Sequence, residues 1–181
     1  MLGDHGYFRK WQPYEGSANI PFIISGSPKL GFKSGVRIEQ PVCLEDIMPT
    51  LLALAGTKSP AHVDGVNLVP TLRGERQVIR KWLHFEHAPC YSQEQAYHAL
   101  TDGHFKYIWR PLNGREFLFN LEDDPREERD LSKEDSHAET LKTWRMRLVK
   151  RLDNRPEGFS KNGTLIPGRP YEPSNRGTIL H

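Results

Sequence analysis

Cysteine is scarce in this 181-residue chain, and its placement excludes two classes of protein at once. Cys43 and Cys90 lie far apart with no C-x-x-C spacing, so the sequence carries neither a thiolate zinc pattern nor a disulfide framework. Long hydrophobic runs are missing too: nothing approaches the roughly 18 consecutive apolar residues that read as a membrane span. No sign of charge dominates. The 25 Lys and Arg are well mixed with 23 Asp and Glu, for a formal net charge of +2, and no basic stripe marks the chain as a nucleic-acid binder. There is no internal repeat. The opening stretch, MLGDHGYFRKWQPYEGSANIPFIISG, lacks the apolar segment of about 7–15 residues that a signal peptide needs. Asp4, His5, Arg9 and Lys10 stand where that segment would be, and the stretch reads as the middle of a domain.

What is present is the composition of a globular protein, 36% hydrophobic and 27% charged, long enough to bury a real core. Fourteen prolines and fifteen glycines, spread along the chain, imply many loops and short elements. Asn19–Ile24 is a short apolar run ended by Ser25-Gly26-Ser27-Pro28, the pattern of a strand buried on both faces. A second short strand is expected within residues 35–42. Residues 44–56 predict a helix with Ile47, Leu51 and Leu54 on one face and Gly56 as its stop, kinked or shortened by Pro49.

From Trp82 the pattern changes. Trp82–Ala88, Gln95–Thr101, His104–Arg110 and Glu116–Leu121 read as strands of an antiparallel meander, with turns at Asp102-Gly103 and Asn113-Gly114. A helix over residues 136–153 is expected to cover one face of that sheet. Ser136 and Glu139 suggest a capping box, and Leu141, Trp144, Leu148 and Leu152 form the buried stripe. Residues 154–181 read as an extended tail. The expected division is an α/β portion over residues 1–78 followed by a small α+β subdomain over residues 79–181.

Three stretches, in order, resemble the sulfatases of the alkaline-phosphatase-like superfamily. LGDHGYFRKWQPYEGSANIPFII resembles the segment in which a lysine precedes a Tyr-Glu-Gly motif and a buried strand. LEDIMPTLLALAG and VDGVNLVPTLRG resemble the family's helix and the loop after it. LTDGHFKYIWRPLNGREFLFNLEDDPREERDL resembles its C-terminal subdomain, with the L-x-x-D-P-x-E turn at Leu121, Asp124, Pro125 and Glu127. The resemblance covers nearly the whole chain. It implies the C-terminal part of an α/β sulfatase fold with a small α+β subdomain.

The resemblance further implies hydrolysis of sulfate esters through a formylglycine nucleophile and a calcium ion. Neither cysteine here heads the C-x-P-x-R pattern that such a nucleophile requires, and no metal ligand is assigned within the sequence. The chain is therefore expected to be a C-terminal portion that is inactive in isolation, with Ca2+ bound mostly by residues outside it. Lys10, by its spacing from Tyr14-Glu15-Gly16, matches the family's sulfate-binding lysine, and a fixed cation suits an oxyanion. His5 is a candidate to line the pocket or transfer a proton. His87 is a candidate for substrate selection, together with Tyr91 and Gln93. Glu15 is expected to anchor the loop through backbone N–H groups, and His84 and Glu86 to share a strand face that His87 does not. The implied partner is a sulfated small molecule or sulfated carbohydrate. Two alternatives stay open: a phosphonate or phosphodiester hydrolase of the same superfamily, and a non-catalytic glycan-binding or structural module.

Overall fold

The four expected strands form, and in a computed structural model describing residues 1–75, 78–89 and 92–171 they make one sheet in sequence order. They are β1 (Leu83–His87), β2 (Tyr97–Thr101), β3 (Phe105–Trp109) and β4 (Glu116–Asn120). β2 pairs antiparallel with β3 through Ala99 opposite Ile108, and β3 with β4 through Ile108 opposite Phe117. The β2–β3 turn is held by the Asp102 carboxylate, which accepts the His104 and Phe105 N–H groups at 3.0 and 2.8 Å. Cys90, Tyr91 and residues 172–181 of the expected tail lie outside the described residues.

Both faces of the sheet are covered. Strand alternation sends His98, Leu100, Tyr107, Trp109 and Leu118 to one side. There they meet the helix α4 (Ala138–Leu152), whose residues Leu141, Trp144, Leu148 and Leu152 are all buried, as the stripe predicts. Arg145 of α4 makes a bidentate pair with Glu116 of β4 at 2.7 and 2.6 Å. The capping box does not form. The chain is already wound in a 3-10 turn over Asp135–His137, so Ser136 lies inside it, its Oγ facing His137 Nδ1 at 3.0 Å, and His137 takes the N-cap place.

The other face carries Tyr97, Ala99, Ile108 and Phe119, and Tyr14 completes that core cluster. Met1–Ile20 therefore pack with His84–His181 as one compact unit, while Pro21–Leu83 form a second. The sequence instead groups the first twenty residues with 21–78. The expected tail is also more than a tail: β5 (Ser160–Lys161) and β6 (Thr164–Leu165) form a hairpin about Asn162-Gly163, both at positive φ, and Phe159 beside it is fully buried.

The second unit contains the helices α2 (Ile47–Leu54) and α3 (Val69–Leu72). The strand expected over Asn19–Ile24 is absent, and Ile20, Ile23 and Ile24 are exposed. No strand lies beside this stretch among the described residues, and a strand without a partner has no ladder to hold it. The strand expected within 35–42 is missing for the same reason. Pro49 occupies the third position of α2, where an N–H has no intrahelical partner to lose, and the α-helix is shorter than the expected 44–56, with Leu44–Asp46 wound as a 3-10 turn before it. The expected stripe is not the buried face either: Pro49 and Thr50 are buried, while Ile47 and Leu51 are exposed.

Asp46 explains why Thr50 faces inward. Its fully buried carboxylate takes both Arg80 guanidinium nitrogens, at 2.9 and 2.5 Å, and accepts the Cys43 and Val66 N–H groups. Thr50 Oγ1 donates to the Asp46 carbonyl and accepts the Leu68 N–H. Between these contacts Gly65 passes so close to the Glu45 carbonyl that no Cβ fits. The glycine of VDGVNLVP is a packing requirement.

Candidate functional site

Residues 1–20 hold the two sequence-predicted residues Lys10 and His5, and the sheet fixes this loop at several points. Lys106 of β3 is entirely buried and faces the Glu15 and Glu127 carboxylates at 2.6 and 2.8 Å. These contacts have the alignment of ion pairs rather than of straight hydrogen bonds. The other Glu127 oxygen accepts the Glu15 N–H at 2.5 Å, capping the short helix α1 (Glu15–Ala18). Glu15 thus anchors the loop through its carboxylate, and the backbone N–H expected as its partner is its own, held by Glu127. Burial, outweighing the pull of Lys106, raises the Glu127 pKa above the usual carboxylate value. Farther along, Gln12 accepts an Arg110 N–H at 2.7 Å.

His5 belongs to the same clamp. Its Nε2 lies 2.9 Å from the Arg126 carbonyl and must donate there, since a carbonyl only accepts. The ring stacks on Tyr14 with centroids 4.0 Å apart. Asp4 is a turn residue whose Oδ2 accepts the Leu2 N–H, which lowers its pKa. Lys10 is solvent-exposed. Arg9, beside it, lies over the Trp11 ring at 5.3 Å.

His87 sits at the end of β1 and stacks on Tyr97 at 5.9 Å; its Nδ1 is buried with no hydrogen-bond partner among the described residues. His5 and His87 therefore border one core cluster, through Tyr14 and Tyr97 respectively. His84 and Glu86 turn to the opposite face, as alternation predicts, and meet His98 of β2. Burial pushes the His84 pKa down to about 3. Burial acts upward on Glu86, but hydrogen bonds from His98 and Arg155 bring it down to about 2. Sequence reasoning overlooked Lys106, Glu127 and Asp46, because a lysine or acid in a strand or turn reads as surface unless its distant partner is known.

Residues 3–154 match the family described as N-sulphoglucosamine sulphohydrolase, C-terminal, and the chain belongs to that family. An arylsulfatase of Clostridium perfringens is 35% identical over 171 residues, which are 94% of this chain and 35% of that protein. A solved structure titled as BT4656 in complex with its substrate D-glucosamine-2-N,6-O-disulfate superposes with a TM-score of 0.72 at 25% identity, over 86% of this chain and 33% of the other. A phosphonate monoester hydrolase, SpPMH from Silicibacter pomeroyi, superposes with a TM-score of 0.58 at 25% identity, over 78% and 32%. The chain spans about a third of the length of each of these proteins.

Proposed function

We propose that this chain is the C-terminal portion of an arylsulfatase-like sulfuric ester hydrolase in which Lys10 contacts the sulfate group. One observation carries the reading. The Lys10 ammonium is solvent-exposed, on a loop pinned by His5 to Arg126, Gln12 to Arg110 and Glu15 to Glu127 and Lys106. Cleaving a sulfate ester leaves negative charge on the departing oxygen and the transferred group, and a preorganised cation stabilises it without reorganising. His5 Nε2 is committed to Arg126, which leaves Nδ1 for any proton transfer, so we assign His5 first to holding the loop. His87 remains our candidate for substrate selection. The substrates named for similar proteins, an aryl sulfate and a disulfated glucosamine, support a sulfated small molecule or carbohydrate as the class.

The calcium implied by resemblance does not fit the loop's own carboxylates. Calcium takes 6–8 oxygen ligands, whereas Asp4 is turned to the Leu2 N–H and Glu15 to Lys106. A formylglycine would supply the nucleophile and a calcium ion would polarise the sulfate, both held by residues other than those of this sequence.

In the full-length enzyme, Lys10→Ala should lower kcat and kcat/KM together by about 10²–10³-fold, the mark of a transition-state contact. Lys10→Arg should rescue poorly, and the exposed Arg9→Ala serves as control. Turnover within about twofold of wild type, under half a kcal/mol, would remove Lys10 from the site. The second reading, a phosphonate hydrolase, is favoured by the likeness to the Silicibacter protein. Faster turnover of an aryl phosphonate monoester than of 4-nitrophenyl sulfate would establish it. The 181-residue chain alone should hydrolyse neither, because it has no nucleophile signature.

A further inference from the structure

The α4 side of the sheet, away from the loop that carries Lys10, brings three metal-ligating groups together. Alternation along β1 points His84 and Glu86 the same way, and His98 reaches them from β2. Glu86 Oε2 lies 2.9 Å from His98 Nδ1 and 3.7 Å from His84 Nε2, and the two ring nitrogens are 3.3 Å apart. Around an ion bound at about 2.0–2.1 Å, adjacent ligand atoms stand about 3.3–3.4 Å apart in a tetrahedron and about 2.9–3.0 Å apart in an octahedron. The three edges bracket those values. The rings cannot easily turn away: the His98 imidazole is stacked between His84, Trp109 and Tyr171, and no part of its side chain reaches solvent.

A hydrogen-bonded reading of the cluster leaves one contact in conflict. Arg151 Nε donates to His84 Nδ1 at 3.4 Å, which puts the proton of a neutral His84 on Nε2, aimed at His98 Nδ1. If His98 Nδ1 accepts it, that nitrogen turns a lone pair toward the Glu86 oxygen at 2.9 Å. If His98 Nδ1 carries its own proton for Glu86, two N–H groups face each other. His98 Nε2 is buried with no partner among the described residues, so the other end of the ring offers no relief. A cation at the meeting point satisfies all three lone pairs at once.

We propose that His84 Nε2, His98 Nδ1 and Glu86 Oε2 form a binding site for a divalent transition-metal ion, zinc being the natural occupant of a two-histidine, one-carboxylate set. Arg155 supports the site from outside. It holds Glu86 Oε1 at 3.0 Å and Oε2 at 2.6 Å, and is itself tied to Glu157, so the carboxylate is oriented with its second Oε2 lone pair toward the histidines. Arg151 opposes the ion. Its charge repels, and its N–H selects the His84 tautomer that cannot bind through Nε2. It is exposed, and metal binding at Nε2 requires it to release Nδ1. The ion would cross-link the edge strand β1 to β2, with its remaining positions open to water.

The 181-residue chain, freed of metal with chelator, should bind one equivalent of Zn2+ in competition with a chromophoric chelator, and Co2+ should give visible d–d bands. His84→Ala and Glu86→Gln should each weaken binding by at least about tenfold, with far-UV circular dichroism unchanged; His98 is too buried for its substitution to carry the test. Arg151→Ala should tighten binding by about two- to fivefold, the effect of removing one exposed like charge and its competing hydrogen bond. Failure of the wild-type chain to bind, or binding by His84→Ala and Glu86→Gln equal to wild type, would overturn the site and leave a hydrogen-bonded cluster. Unchanged or weaker binding by Arg151→Ala would overturn the tautomer argument on which it rests.

Discussion

Asp46 shows how one side chain can organise a segment that has little regular structure. Its carboxylate is fully buried and gathers Arg80, Cys43 and Val66. Burial works to raise its pKa, but the Arg80 pair and the two backbone N–H groups win, and the folded-state value lies below the ordinary 3.8. The stability this group contributes is therefore fully present above pH 3.8 and lost as pH falls through the depressed folded-state value. Asp46→Asn should cost about 3–5 kcal/mol at pH 7, the usual penalty for stranding one member of a buried pair. It should also flatten the loss of stability below pH 4. Denaturant titrations of both proteins at pH 7 and pH 3 check this, and an equal acid dependence in the variant would show that other carboxylates govern it.

At the scale of elements, α4 is the member on which the sheet's second face depends. Trp144 is 2% exposed, and Leu148 and Leu152 beside it are fully buried. Trp144→Ala should destabilise by about 3–5 kcal/mol, read from the shift in denaturation midpoint; less than about 1 kcal/mol would show that the site collapses without loss. This helix and the four strands were legible because their signals are local. Asp102-Gly103 and Asn113-Gly114 set the turns, and the stripe at Leu141, Trp144, Leu148 and Leu152 sets the face. The Asn162-Gly163 hairpin carried an equally local signal, masked by the Pro- and Gly-rich stretch around it. The run Asn19–Ile24 misled because a strand is a property of a pair, and its composition says nothing about whether a neighbour is there. The clamp on the candidate site was illegible for a related reason: Glu15 and Glu127 meet across 112 positions, and neither flank announces the other. Lys10 and His5 could be singled out only because the surrounding motif resembles that of a known family.

On the scale of the whole molecule, the 21–83 unit leaves several large apolar side chains exposed on α2 and the turn before it. Leu44, Met48 and Leu51 are 63%, 47% and 59% exposed, and Ile23, earlier in the same unit, is 88% exposed. Contiguous apolar surface of this kind drives association. The 181-residue chain should therefore self-associate with rising concentration, and Met48→Lys with Leu51→Lys should reduce this. Light scattering distinguishes the outcomes, a monodisperse wild-type monomer at high concentration being the one that refutes the expectation.

The unit that contains the sheet is interrupted in sequence: the chain leaves it after Ile20 and re-enters at His84. The meander and α4 can assemble from near neighbours along the chain, with Glu127 beside Lys106, whereas Tyr14 and Glu15 must be brought back across the whole excursion before Lys106 gains its second carboxylate. Loop closure over such a span is an entropic cost met before any contact rewards it. Until it is met, β3 carries a lysine with one counter-charge in a half-covered sheet. The loop that presents Lys10 is thus expected to be secured last in its unit, so that loosening its attachment should speed unfolding more than it slows folding.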